Sequence, residues 1–387
     1  LKFSLNCHCS VASAAITMTS KSAWLIFILS GFGLIGLPLA GCYLAGQPIA
    51  QYLEFPPRTR YIAHAPFSAW AFFCFALFIL LVIGLLLAGG RLRSAATQKT
   101  TVSRQRPFPW WGWTALAAGL VFWTLAWTRF PWFARLQPHT FFPLWFSFII
   151  LINAFCHYRS GRCMLIHQRA YFARLFFFSA GFWWFFEYLN RFVQNWYYTG
   201  SDYPPLTYFI LATLSFSTVL PAVLGMRDLL RTFTWLENRF QGSKPRPAGN
   251  TAAFAWFCLA ISSAGLAMIG VWPDVLFPLL WVSPLLVITS LQRLGRQPHI
   301  FTPTVQGDWR PVVSAALAAL VCGFFWELWN FYSLARWTYS VPLVHRFQIF
   351  EMPLLGYAGY LPFGLECAVI GSLMESRTTP TVHAARP

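Results

Sequence analysis

The sequence predicts an all-α, polytopic integral membrane protein of about ten transmembrane helices, arranged as two N-terminal helices followed by a four-plus-four internal repeat. Three observations predict it. Of the 387 residues 57% are hydrophobic and only 10% charged, against roughly a quarter charged in a soluble domain. Ten apolar stretches approach the ~20 residues a helix needs to cross ~30 Å of hydrocarbon. The basic residues collect in alternate loops between those stretches.

The stretches lie at 23–46, 67–89, 111–129, 141–157, 172–198, 206–226, 251–271, 275–292, 311–333 and 348–374. Pro284 falls inside the eighth, so a tilted or broken helix is expected there. With the N-terminus inside, the two ends and the loops 90–110, 158–174, 227–250 and 293–310 hold 21 of the 28 Lys and Arg. The opposite loops hold six, and Arg191 lies within a helix. This positive-inside pattern places both termini in the cytoplasm and the chain in the cell membrane. It also accounts for the net charge of +17 without nucleic acid, whose binders gather Lys and Arg on one face.

The first helix has a second reading. Leu39-Ala40-Gly41-Cys42, after Lys21 and an apolar run, also fits a lipoprotein signal with processing at Cys42, which would leave nine helices. Residues 1–17 precede Met18 and are read as an upstream segment; 18–107 carry the two N-terminal helices. Repeat 1 spans 108–247, repeat 2 spans 248–376, and 377–387 form a cytoplasmic tail.

The repeat is read from matched residues. Phe185, Glu187 and Asn190 match Phe325, Glu327 and Asn330 at an offset of 140. At an offset of 141, Trp196 and Tyr198 match Trp337 and Tyr339, and Leu220-Pro221 matches Leu361-Pro362. An even helix count per copy keeps both copies in one orientation, the parallel-repeat arrangement, with sites expected between the halves.

Acids inside a bilayer are costly and mark candidate sites. Glu187, Asn190, Arg191, Gln194 and Asn195 fall on one helical stripe, and Glu327, Asn330 and Ser333 on its counterpart. Glu351 and Glu366 add two acids in the last helix. Glu327 and Glu351 are the candidate catalytic residues, and Asn330, Tyr339, Trp337, Glu187, Asn190, Arg191 and Glu366 the candidate binding residues. The plainer alternatives are interhelical hydrogen-bond glue, typically ~1 kcal/mol, and a self-neutralising Glu187–Arg191 pair. No cofactor or metal is predicted. The chain has no His-x-x-x-His, Walker loop or dinucleotide fingerprint, Cys7-His8-Cys9 lacks further ligands, and the other cysteines read as buried thiols.

The stretch from Phe325 to Glu366 resembles the heterodimeric-type lycopene cyclases, membrane proteins that close rings on carotenoid ends. Glu327 stands for the family's helical acid, Trp337-Thr338-Tyr339 for its Trp-x-Tyr, and Phe350-Glu351-Met352-Pro353-Leu354 for the segment before its paired acids. Leu355 and Gly356 occupy the positions where those acids belong, leaving Glu351 as a substitute. The resemblance implies a carboxylic acid that protonates a polyene inside an aromatic pocket, since aromatic faces stabilise cations.

Three functions compete. The first is a membrane binding protein or enzyme for a hydrophobic, isoprenoid-like or lipid-like molecule, the enzyme form being an acid-catalysed isomerase or cyclase that uses a buried Glu. The second is a proton-coupled small-molecule transporter, and the third a non-catalytic membrane subunit. The expected partners are the bilayer and a hydrophobic small molecule, with the oligomeric state left open. Acids sharing one cavity favour the first two; acids each held singly by internal donors disfavour both.

Overall fold

A computed structural model describes residues 20–90, 106–200, 202–241 and 251–375. The upstream segment 1–17 and the tail 377–387 lie outside them. The chain is mostly helical, and a helix falls in each of the ten apolar stretches. These helices are α1 (Ser20–Leu44), α2 (Ala69–Gly90), α3 (Trp110–Trp127), α4 (Phe141–Ser160), α5 (Arg169–Val193), α6 (Pro205–Phe216), α7 (Val219–Leu230), α8 (Ala252–Met268), α9 (Leu279–Leu294), α10 (Arg310–Phe331) and α11 (Tyr360–Met374). By length and composition, four spans can cross a membrane: Gln137–Ser160, Pro205–Leu230, Arg310–Phe331 and Leu354–Met374. Four further apolar helices, within α1, α2, α8 and α9, are shorter.

The core is built where α10 packs on α7 and α11, while α4 packs on α3 and α7, and α9 on α8 and α11. Aromatic rings fill it. Trp145, fully buried, lies 5.0 Å from Trp326 and 5.1 Å from Trp329 between ring centroids, and Phe186 stacks on Trp281 at 5.4 Å. Gly41 and Cys42, the end of the lipobox-like motif, are packed inside α1: a Cβ at Gly41 would overlap the Ala267 carbonyl of α8, and Cys42 is fully buried.

Three predicted helices differ from the observed elements. The stretch 172–198 stops being helical at Val193, because Gln194 adopts a left-handed conformation with φ 49°. The residues beyond it, Trp196–Thr199, form strand β1, antiparallel to β2 (Arg336–Tyr339). The register pairs Trp196 with Tyr339 and Tyr198 with Trp337. The stretch 206–226 is interrupted at Ser217–Thr218, where Ser179 of α5 donates to the Phe216 carbonyl at 2.6 Å and accepts from the Leu220 amide at 3.0 Å. The stretch 348–374 opens as a hairpin of β3 (Gln348–Ile349) and β4 (Met352–Pro353), then a 3-10 turn, and α11 begins only at Tyr360.

Candidate functional site

Each of two buried glutamates sits a helical turn before an asparagine that fastens the helix end to the strand pair. In α5, the Asn190 amide donates to the Trp196 carbonyl at 2.8 Å, and its Oδ1 accepts from the Asn195 amide at 2.8 Å. In α10, Asn330 donates to the Trp337 carbonyl at 2.7 Å and accepts from the Trp337 amide at 2.9 Å. The asparagine thereby takes up backbone groups of the segment just beyond its helix. It also fixes where the next tryptophan and tyrosine point.

Those aromatic side chains return to the glutamates. Glu187 Oε1 accepts from Tyr198 Oη at 2.6 Å, Trp183 Nε1 at 2.9 Å and Trp196 Nε1 at 3.0 Å. Glu327 Oε1 accepts from Tyr339 Oη at 2.6 Å and Tyr360 Oη at 2.7 Å, and Trp337 Nε1 donates to Tyr339 Oη at 2.8 Å. Both carboxyl groups are fully buried, and in both the second oxygen, Oε2, has no partner. Tyr360 reaches Glu327 by crossing Gly323, one turn earlier on α10, where a Cβ would overlap the phenol ring.

Beside these clusters lies a cavity of about 640 Å³ with an overwhelmingly apolar lining. Trp183, Trp196 and Tyr198 face it from one cluster, Trp337, Tyr339 and Tyr360 from the other. One side of the wall is α2, through Phe75, Phe78, Ile79, Val82 and Ile83, while its opposite face, including Trp70, Phe73 and Leu77, is exposed. Neither Glu187 nor Glu327 lines the cavity; each stands one layer behind it.

The expected site residues therefore separate. Trp337 and Tyr339 are at the wall, whereas Glu187 and Glu327 support it, and Asn190 and Asn330 serve the backbone. Glu351 is not on a helix beside Glu327. It occupies the turn between β3 and β4 and pairs with Arg336 at 3.2 Å, because the chain there is a hairpin. Arg191 forms no ion pair with Glu187; its guanidinium donates to the carbonyls of Gln51 at 3.1 Å and Pro56 at 3.3 Å. Glu366 is elsewhere: its Oε1 accepts from the Leu285 amide at 3.1 Å, next to Pro284, which interrupts the backbone ladder of α9. Leu355 and Gly356, at the positions of the cyclase acids, line the cavity without a charge.

Sequence reasoning did not single out Trp183, Asn195 or Tyr360 as site residues. Trp183 precedes Glu187 by one turn and was within reach of helical spacing. Tyr360 is 33 residues from Glu327 and carries no local signal. Among the described residues, no group of three or more His, Cys, Asp or Glu is placed to hold a metal ion.

The described residues define a mostly helical chain with four spans long and apolar enough to cross a membrane and an aromatic cavity backed by two buried carboxyl groups. No protein-family model, no curated protein and no solved structure matches it.

Proposed function

We propose that this chain is a ten-helix protein of the cell membrane, both termini cytoplasmic, that binds an elongated apolar molecule of isoprenoid or lipid type. The observation that carries the reading is the 640 Å³ aromatic cavity. Pockets for small organic ligands have this size and this mostly apolar lining. At the ~30 Å³ that liquid water gives each non-hydrogen atom, it holds on the order of twenty such atoms, a C20-class chain. Entry from the bilayer side is supported by α2, a single helix that separates the cavity from a face of exposed Trp, Phe and Leu.

The last eight helices are read as a duplication. Its support is the recurrence of one device, Glu to Tyr and Asn to Trp backbone, at both ends of the β1–β2 pair. The strand register agrees: Trp196 opposite Tyr339 becomes Trp337 opposite Tyr198 when the copies are exchanged. Binding without acid chemistry is favoured over both cyclase and proton-coupled chemistry, because each acid is held singly by internal partners and none of the four lines the cavity. The cyclase acid positions are Leu355 and Gly356 here, Glu351 is paired with Arg336, and Glu327 is held by two tyrosines.

The test is saturable energy transfer from protein tryptophans to all-trans-retinol, a fluorescent C20 polyene alcohol, with the protein in lipid nanodiscs. Saturation is expected, with loss on Trp196→Ala plus Trp337→Ala. Transfer that only tracks partition into the lipid, equal to an unrelated membrane protein, would sink the reading. Reporter fusions at both ends and in the loop 130–140 test the topology.

A further inference from the structure

Asn195 follows the left-handed residue that ends α5. Its backbone is fixed from two sides. The amide donates to Asn190 Oδ1 at 2.8 Å, and the carbonyl accepts from the Ser340 amide at 2.8 Å. The side chain is not fixed in this way. Asn195 belongs to the cavity wall and is only 3% exposed, yet neither its Nδ2 nor its Oδ1 has a hydrogen-bond partner.

A primary amide offers two donors and two acceptor lone pairs. Burying all of them unmet is costly, and a leucine would fill similar space without that cost. The other polar side chains around the strand pair are engaged. Tyr198, Trp183 and Trp196 donate to Glu187, Tyr339 and Tyr360 donate to Glu327, and Trp337 donates to Tyr339. Even the buried glutamates have one oxygen satisfied. Asn195 alone among these has no partner for either of its buried polar atoms, and the residue belongs to the wall of the cavity.

We propose that the ligand is amphipathic: an apolar chain ending in one oxygen function, a hydroxyl or a carbonyl, received by the side-chain amide of Asn195. The inference rests on the apolar-ligand reading above and narrows it. A plain hydrocarbon would leave the amide unmet. A hydroxyl accepts from Nδ2 or donates to Oδ1, and a carbonyl accepts from Nδ2. A charged terminus does not fit: among the described residues Arg336 is the one Lys or Arg in the wall, and it is paired with Glu351.

Two matched probes test it: all-trans-retinol and its deoxy hydrocarbon, identical except for the terminal hydroxyl. In nanodiscs of fixed lipid composition, with each affinity corrected for that probe's partition into protein-free discs, the wild-type protein is expected to bind the alcohol about five- to tenfold tighter, the contribution of one or two hydrogen bonds in a dry site. Asn195→Leu is expected to abolish that preference by weakening the alcohol alone, leaving hydrocarbon affinity unchanged or improved. Asn195→Thr, which puts a hydroxyl donor and acceptor in place of the amide, should retain part of it. Equal affinities in the wild type, or a preference that survives Asn195→Leu, would overturn the inference while leaving the cavity reading intact. Saturable binding of neither probe would overturn both. A Leu variant that also loses the hydrocarbon would show Asn195 to be structural and overturn the inference.

Discussion

Replacing Glu327 in two ways separates its role as a hydrogen-bond acceptor from its ability to carry a proton or a charge. In Glu327→Gln, Oε1 remains in place to accept from Tyr339 and Tyr360 at 2.6 and 2.7 Å. The new Nε2 stands where Oε2 already lacks a partner, so the expected cost is that of one unmet donor, about 1–2 kcal/mol. In Glu327→Leu both phenols lose their acceptor inside the core. At about 1–3 kcal/mol for each orphaned hydroxyl, the loss reaches about 2–6 kcal/mol. The assay is unfolding in detergent, followed by tryptophan fluorescence under matched conditions, with retinol energy transfer measured on the folded fraction. Binding should survive the Gln change and fall with the Leu change, because only the latter frees Tyr339 and Tyr360 at the cavity wall. A Leu variant within about 0.5 kcal/mol of the Gln variant would refute the account of Glu327 as the anchor of the two tyrosines.

Other outcomes follow from single contacts. Gly323→Val, whose side chain would collide with the Tyr360 ring, should cost about 1–3 kcal/mol by overpacking and lower retinol affinity; an unchanged unfolding midpoint would contradict the close approach. Ala212→Phe places a ring in the cavity wall that takes up on the order of 180 Å³, so retinol affinity should fall about tenfold without loss of stability; undiminished binding would move the ligand elsewhere. Burial pulls His345 below the ordinary imidazole value, with Glu351 opposing, and its Nδ1 accepts from the Val341 amide at 3.3 Å. The unfolded chain therefore binds the proton more readily, and stability should fall as pH drops from ~6.5 toward the lowered value. His345→Gln should flatten that part of the pH profile, and a profile unaltered by the substitution would exclude His345 as its source.

Much of the helical layout was legible because apolar length is a local property: a helix falls in every apolar stretch. The carboxylates and their Trp-x-Tyr partners were legible as a recurring pattern. The strands were not. Trp196–Thr199 continues an aromatic run that reads as helix, and its strand character depends on a partner 140 residues away and on the Asn190 side chain taking the backbone. Glu351 was misplaced for a different reason. Pro353, Gly356 and Gly359 are breakers that keep the stretch before Tyr360 from being α-helical, and apolar length alone does not register them. Stripe geometry placed Asn195 with Glu187 on one helix face. Its distinguishing property, an unpartnered amide in a residue of the cavity wall, appears only once the helix has ended before it.

The position of the carboxyl groups bears on why the chain keeps them. A buried carboxyl costs free energy that an apolar side chain of similar volume would not. Here each is surrounded by donors that themselves form the cavity wall, so the hydrogen bonds decide where the wall points. Tyr198 and Tyr339 have their protons directed backward to Glu187 and Glu327, which turns the ring faces and edges, rather than the hydroxyl protons, toward the cavity. The indole N–H groups of Trp183 and Trp196 are likewise drawn to Glu187, and that of Trp337 is taken up by the Tyr339 hydroxyl. The two glutamates thus make the surface of a Trp- and Tyr-rich pocket behave as an apolar one. A proton donor aimed at a polyene would need the opposite orientation. The same geometry that supports binding therefore argues against acid chemistry at Glu327, and it leaves the amide of Asn195 as the place where polarity in the ligand can be met.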